Sequence, residues 1–332
     1  MTALNNNGNG ELQQDSRIYV AGHCGLVGSA IRHKLEVDGC TQLLLPPRAA
    51  LDLTRRDDVM RYFNNKKPEF VFLAAAKVGG IHANSTYPAD FIRDNLLIQC
   101  NVIDACFEHG VKRLLFLGSS CIYPRDCPQP MREEYLLTGP LEPTNRPYAL
   151  AKIAGIEQCW AYNRQYGTQY LAAMPTNLYG LGDNFDLENS HVLPALVRKV
   201  ATAKAKKQKQ IVVWGTGNPR REFLYSDDLA EACVMLLRLP QKTFQSLLPA
   251  DQPPLINIGV GEDVTIRELV DTICSVLDCD SEVVFDATKP DGTPRKLLDV
   301  TRMHALGWSA HTSLAEGILR MYASIQSVLP SW

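Results

Sequence analysis

The chain has 332 residues, 45% of them apolar and 21% charged, with a net charge of −2. That balance describes a globular protein with one large domain or two and gives no electrostatic footprint for nucleic acid or an acidic membrane surface. No apolar run reaches the ~18 residues of a membrane span, and the ten cysteines include no C-x2-C pair, which argues against both a zinc ribbon and a thioredoxin-type site; no bound metal is expected.

Residues 1–16 are rich in Asn, Gly and Gln without an apolar stretch, which predicts a disordered tail rather than a signal peptide. The thiols are expected to be reduced, mostly core filler, in a cytoplasmic protein. Arg17–Ala21 then reads as a buried strand. It runs into Gly22-His23-Cys24-Gly25-Leu26-Val27-Gly28 and a helical pattern over residues 29–37. Strand, glycine turn and helix together suit a dinucleotide, because the backbone approaches the pyrophosphate closely and the helix N-terminus attracts it. On spacing alone, G-x2-G-x2-G also fits a structural turn.

A second strand, residues 42–45, ends in Pro46-Pro47-Arg48. An NAD site usually places an acid near this point; Arg48 favours a 2′-phosphate instead, hence NADP, unless it is a solvated loop residue. Asp52 and Leu53 follow, and a helix ends before Pro68. The next buried strand, residues 70–75, finishes in Ala74-Ala75-Ala76, which leaves room for a flat ligand or for a crossing helix. A long helix is predicted over residues 89–109, then a strand over 113–118 opening into Ser119-Ser120-Cys121. If the backbone stays extended there, Ser119 and Cys121 point to one side.

After a proline-rich loop comes Pro147-Tyr148-Ala149-Leu150-Ala151-Lys152. Proline fits the first turn of a helix, and positions i and i+4 share a face, so a phenol and an ammonium are neighbours. A lysine there is expected to lower the tyrosine pKa and make it a proton donor, although the same spacing occurs in ordinary amphipathic helices. A strand over residues 171–174 leads to Pro175-Thr176-Asn177-Leu178. The alternation predicts βαβ units. The expected fold is α/β, a Rossmann-type doubly wound parallel sheet. It is built from residues 17–180 and about 222–258, with a smaller mixed α/β substrate lobe from 181–221 and 259–332.

In that lobe, residues 183–194 form a polar loop carrying His191. A basic helix over 195–209 includes Lys199, a strand ends at Trp214, and Arg220-Arg221 follows a turn. Helices are expected over 227–237 and 266–277, with a strand at Leu255–Ile258 between them. A basic, turn-rich loop with Lys296 precedes the terminal helices.

The glycine turn, Ser119 and Tyr148-x3-Lys152 resemble those of the extended short-chain dehydrogenases/reductases that act on nucleotide-linked sugars. Residues 74–81, 118–124, 174–180, 189–192 and 289–300 are similar to the branch that forms GDP-L-fucose. The resemblance implies NADPH-dependent conversion of GDP-4-keto-6-deoxy-D-mannose to GDP-L-fucose, by epimerisation at C3 and C5 and reduction at C4. It also implies a homodimer paired through helices 89–109 and 148–166.

Tyr148 is then the acid of the reduction, Ser119 a hydrogen-bond partner of the same oxygen, and Lys152 the group that tunes the phenol and holds the ribose. Cys121 becomes the base and His191 the acid of epimerisation. Gly22, Gly25, Leu26, Val27, Gly28, Arg48, Asp52, Leu53, Ala74, Ala75, Ala76, Pro175, Asn177 and Leu178 line the cofactor with Tyr148, Lys152 and His191. Ser119, Ser120, Cys121, Asn177, Lys199, Trp214, Arg221 and Lys296 meet the substrate. Two positions depart from the pattern: Cys24 and Lys199 stand where family members carry arginine, which removes a 2′-phosphate contact and a bidentate fork. Another nucleotide-sugar reductase or epimerase is the alternative. A non-catalytic dinucleotide sensor is the other, although it would not need Ser119, Tyr148 and Lys152 together.

Overall fold

The computed structural model describes residues 10–187, 190–289 and 291–326. In its first half strands and helices alternate. β1 (Arg17–Ala21) leads to α1 (Leu26–Val37), β2 (Gln42–Leu44) to α2 (Arg56–Lys66), and β3 (Phe70–Leu73) to α3 (Ile81–Thr86) and α4 (Pro88–Glu108). β4 (Arg113–Leu117) is followed by α5 (Arg146–Tyr166) and β5 (Tyr170–Pro175). α5 carries Pro147 in its first turn and stops at Gly167, in the left-handed conformation, both as helix ends prefer.

The second half mixes shorter pieces. β6 (Asn177–Tyr179), α6 (Val192–Ala205), β7 (Gln210–Trp214), β8 (Arg220–Arg221) and β9 (Phe223–Tyr225) come first. α7 (Ser226–Arg238), α8 (Gln241–Ser246) and β10 (Leu255–Ile258) follow. β11 (Val264–Thr265), α9 (Ile266–Val276), β12 (Glu282–Asp286), β13 (Arg295–Lys296), α10 (Thr301–Ala305) and α11 (Leu314–Ile325) complete the chain.

Six strands form one parallel sheet in the order β10-β5-β4-β3-β1-β2. Its central strands are buried on both faces, which is why they read as continuous apolar runs. Ile18, Val20, Phe70 and Phe72 point to the face covered by α1 and α7. Tyr19, Ala21, Val71 and Leu73 point to the face covered by α2, α4 and α5. A separate core joins α6, β7, α9 and α11, beside the small sheets β11-β8-β13, β12-β7 and β6-β9.

Three expectations change. α1 begins at Leu26 rather than Ser29, and several short strands of the second lobe were not legible. The disordered tail is corrected for residues 10–16: Leu12 is 2% exposed in the main core, and its N–H donates to the Leu237 carbonyl at 3.1 Å. Residues 1–9 lie outside the described residues. Among the described residues, no helix is long and apolar enough to cross a membrane. All ten cysteines are unpaired thiols, Cys24 and Cys100 being the exposed ones.

Candidate active site

β1 and β3 lie side by side, and the sheet continues from them in opposite directions, to β2 and to β4. Open α/β sheets take ligands at the carboxyl edge of such a crossing point. The glycine turn forms one wall. Gly22 has φ +86°, and a Cβ there would stand 2.7 Å from the Ala75 nitrogen. A Cβ on Gly28 would stand 2.1 Å from the Gly22 carbonyl oxygen. These approaches seat α1 on the turn with Gly25 as its N-cap. The N–H groups of Leu26, Val27 and Gly28 are then first-turn donors without helical acceptors, arranged as a pyrophosphate site requires.

Ala74, Ala75 and Ala76 leave the end of β3 without side-chain bulk. The loop after them is pinned by Asn95, 2% exposed. Its Oδ1 accepts from the Lys77 N–H and its Nδ2 donates to the Lys77 carbonyl, both at 3.0 Å. Arg48 is exposed beyond the end of β2. Two predicted cofactor residues have partners inside the protein. The Asp52 carboxylate accepts from the Thr54 N–H and hydroxyl at 3.0 and 2.7 Å, and the Leu53 carbonyl accepts from Asn101 at 2.9 Å.

Beyond β4 the chain does not stay extended. Residues Ser120–Ile122 turn as a short 3-10 helix, and Ser119 caps it, its Oγ accepting from the Cys121 N–H at 3.4 Å. Capping, rather than strand alternation, brings Ser119 and Cys121 together. Ser120 and Cys121 are both buried. Tyr148 and Lys152 project from the first turns of α5, with Lys152 Nζ 5.8 Å from the Tyr148 ring centre. Phe91 packs edge-on against Tyr148 at 6.4 Å. Lys152, 3% exposed, donates to the Leu117 carbonyl at 2.6 Å, which ties α5 to the end of β4.

Burial dominates the electrostatics of this cluster. It brings Lys152 down to about 8. It pushes the Tyr148 phenol well above its usual range, and the neighbouring Cys121 thiol adds to the rise. Cys121 is raised by burial as well. Ser119, by hydrogen bonding, pulls both the phenol and the thiol back, and the ammonium groups of Lys296 and Lys152 draw Cys121 further down. Burial sets the direction of the phenol's shift, and the Lys152 ammonium is directed at the Leu117 carbonyl.

His191 caps the start of α6, its carbonyl accepting from the Ala195 N–H at 3.2 Å. The residue is exposed, and desolvation by the surrounding protein lowers its pKa. Among the described residues, no hydrogen bond or ion pair joins His191 to Cys121 or Tyr148. The structure thus gathers hydroxyl, thiol, phenol and ammonium, and leaves the imidazole on the loop before α6. Asn189 and Pro290, from the family-like stretches, lie outside the described residues.

In the second lobe the register of β8 on β13 pairs Arg221 with Lys296. Burial lowers both cations; the Cys121 thiol opposes the shift of Lys296, and Asp291 that of Arg221. Trp214 is 67% exposed, with Lys199 and Lys289 each 5.6 Å from its ring centre. Asp291 links the two groups, accepting from the Thr216 N–H and hydroxyl at 2.9 and 2.7 Å. An exposed indole and several cations suit an aromatic base carrying a diphosphate. Pro175 is buried at the end of β5, and Leu178 packs on the main core. Asn177 donates to the Glu222 carbonyl at 2.8 Å.

Sequence reasoning missed Asn95, Gln99 and Glu222. Gln99 is 2% exposed and donates to the Ala151 carbonyl at 2.6 Å, setting α5 beside α4. A signal for the first two was present: two amides four residues apart on an otherwise apolar helix face.

The profile of the NAD dependent epimerase/dehydratase family matches residues 18–259. "GDP-L-fucose synthase 1" of Arabidopsis thaliana is 55% identical over 309 residues, 93% of each chain. The GDP-L-fucose synthase of Escherichia coli (strain K12) is 54% identical over 92% of this chain and 95% of that one. Among solved structures, the GDP-mannoheptose C4 reductase from Campylobacter jejuni with NADP bound superposes with a TM-score of 0.87 at 37% identity. It covers 95% of this chain and 99% of that one.

Proposed function

The chain belongs to the NAD dependent epimerase/dehydratase family, and from that footing we propose that it acts as the GDP-L-fucose synthases it matches do. It is an NADP-dependent enzyme that converts GDP-4-keto-6-deoxy-D-mannose to GDP-L-fucose. The observation that carries this reading is the gathering of Ser119, Cys121 and Lys152 at the end of β4, with Ser119 Oγ accepting from the Cys121 N–H at 3.4 Å and Lys152 donating to the Leu117 carbonyl at 2.6 Å. Tyr148 lies one helical turn before Lys152 on α5, and a dinucleotide cradle lies beside them.

The cradle fits NADP, since any side chain at Gly22 or Gly28 would fill the space in which the backbone closes on the turn. The N–H groups of residues 26–28 would hold the pyrophosphate, Arg48 the 2′-phosphate, and Ala74, Ala75 and Ala76 would flank the flat end. When bound, NADPH supplies the hydride that reduces C4. Lys152 keeps a positive charge beneath the site below pH about 8. Tyr148 gives its proton to the C4 oxygen, and Ser119 hydrogen-bonds that oxygen as negative charge develops on it.

Before reduction, the C4 ketone acidifies the protons on C3 and C5, so an acid–base pair can invert each carbon through an enolate. Cys121 takes a proton as the thiolate. Burial opposes that form, and Ser119, Lys296 and Lys152 favour it. His191 returns a proton from the other side of the sugar; a lowered pKa makes its imidazolium a stronger acid. Asn177, Lys199, Trp214, Arg221 and Lys296 hold the nucleotide diphosphate. A C4 reductase without epimerase activity is the second reading, favoured by the likeness to the Campylobacter structure.

The protein is further proposed to be a cytoplasmic homodimer. Leu97 and Cys100 on α4 and Leu150 and Ala154 on α5 remain exposed after both helices pack on their own sheet, a spare apolar stripe that a two-fold pairing would cover. Its proposed division is a cofactor domain of residues 17–180 and about 222–258, and a substrate domain of the rest from residue 181.

The test is turnover with GDP-4-keto-6-deoxy-D-mannose and NADPH, with the product identified by NMR. GDP-L-fucose formed in step with NADPH oxidation is expected. A reduced sugar with C3 and C5 uninverted would replace this reading with the C4 reductase.

A further inference from the structure

Glu222 lies between β8 and β9 and is 0% exposed, a position where a lone carboxylate would be costly. Its charge is met by backbone. Oε1 accepts from the N–H groups of Val260 and Gly261 at 2.6 and 2.8 Å, and Oε2 from the Leu298 N–H at 3.0 Å. Its own carbonyl accepts from Asn177 Nδ2 at 2.8 Å and from the Thr176 hydroxyl at 3.3 Å.

These five donors come from three separate places. Residues 176 and 177 leave β5 and residues 260 and 261 leave β10, adjacent strands at the edge of the main sheet. Leu298 follows β13, whose Lys296 pairs in register with Arg221, the residue before Glu222. Gly259 is required to let the carboxylate in, because a Cβ there would stand 2.2 Å from Oε1.

We propose that Glu222 is a positioning residue that locks the cation pair Arg221 and Lys296 onto the carboxyl edge of the cofactor sheet, so that diphosphate and dinucleotide share one frame. This rests on Arg221 and Lys296 being diphosphate ligands. Glu222 touches neither ligand; it acts through Leu298 on Lys296 and through the main chain on Arg221 and Asn177.

Glu222→Gln separates this role from bulk packing. The amide oxygen still accepts from Val260 and Gly261, while the NH2 group faces the Leu298 N–H, donor against donor. The strand carrying Lys296 is therefore released selectively. Losing one charge-assisted hydrogen bond at the anchor is expected to weaken GDP binding by about tenfold and to leave NADPH binding within about twofold.

Isothermal titration of wild type and E222Q with GDP and, separately, with NADPH reads both constants without needing turnover. The functional reading stands or falls independently on wild-type NADPH oxidation. Unchanged GDP affinity in E222Q would overturn the proposal. Equal weakening of both ligands would also overturn it, since that marks general loosening. Should E222Q not fold, Gly259→Ala displaces the same carboxylate without removing it, and the same two titrations decide the matter.

Discussion

Replacing Lys152 with methionine tests how burial sets the charge of the site. Lys152 is 3% exposed, and burial brings its pKa from the ordinary 10.5 to about 8. At roughly 1.4 kcal/mol per pH unit, holding the ammonium there at neutral pH costs about 3 kcal/mol relative to a solvated lysine. Methionine fills the space without charge and forgoes the hydrogen bond to the Leu117 carbonyl, worth about 1–3 kcal/mol. At pH 7 K152M should be at least as stable as wild type, by up to about 2 kcal/mol, while losing activity.

The pH dependence is sharper. Above pH 8 folded Lys152 loses its proton, whereas the unfolded chain keeps it to roughly pH 10.4. The unfolded state then binds more protons, so wild-type stability gains from this group as pH rises through that window. K152M lacks the gain. Its advantage over wild type is complete below pH 8 and shrinks by about 3 kcal/mol toward the alkaline end of the window. Urea unfolding of both proteins from pH 7 to 10, followed by circular dichroism, measures the difference. A difference constant across the window, or a variant several kcal/mol weaker at pH 7, would refute the reasoning.

Tyr148→Phe should cut NADPH oxidation by about 10²–10⁴-fold, with wild-type unfolding behaviour; stopped-flow absorbance checks it, and full turnover would remove Tyr148 as the acid. Gly28→Ala drives a methyl toward the Gly22 carbonyl, 2.1 Å away, and no flexible side chain is there to yield. NADPH affinity should fall by about tenfold or more, at roughly 1.4 kcal/mol per decade. GDP affinity, measured by titration, should hold.

Legibility followed physical scale. β3 and β4 could be read because helices cover both faces and every position is apolar. The glycine turn could be read because close backbone approach tolerates no side chain. α5 could be read from Pro147 onward. β8, β11 and β13, of two residues each, are too short to carry a period. Leu12 sits alone in a polar stretch, so nothing local announces that it reaches the core. Nothing local to Glu222 announces its burial, because the N–H groups that meet its carboxylate come from residues 260, 261 and 298. The same limit applies to Lys152. Its helical spacing from Tyr148 was visible, but its partner is the Leu117 carbonyl at the end of a strand 35 residues earlier.

The role of Cys121 in proton exchange is tested most directly by running the reaction in D2O and locating deuterium in the product by NMR. Wild type should place deuterium at C3 and C5 and none at C4, whose hydrogen comes from NADPH. Cys121→Ser should reduce the ketone without that labelling, yielding uninverted GDP-deoxyhexoses. Wild-type labelling at an undiminished rate in Cys121→Ser, or GDP-L-fucose from wild type without deuterium at either carbon, would contradict the account.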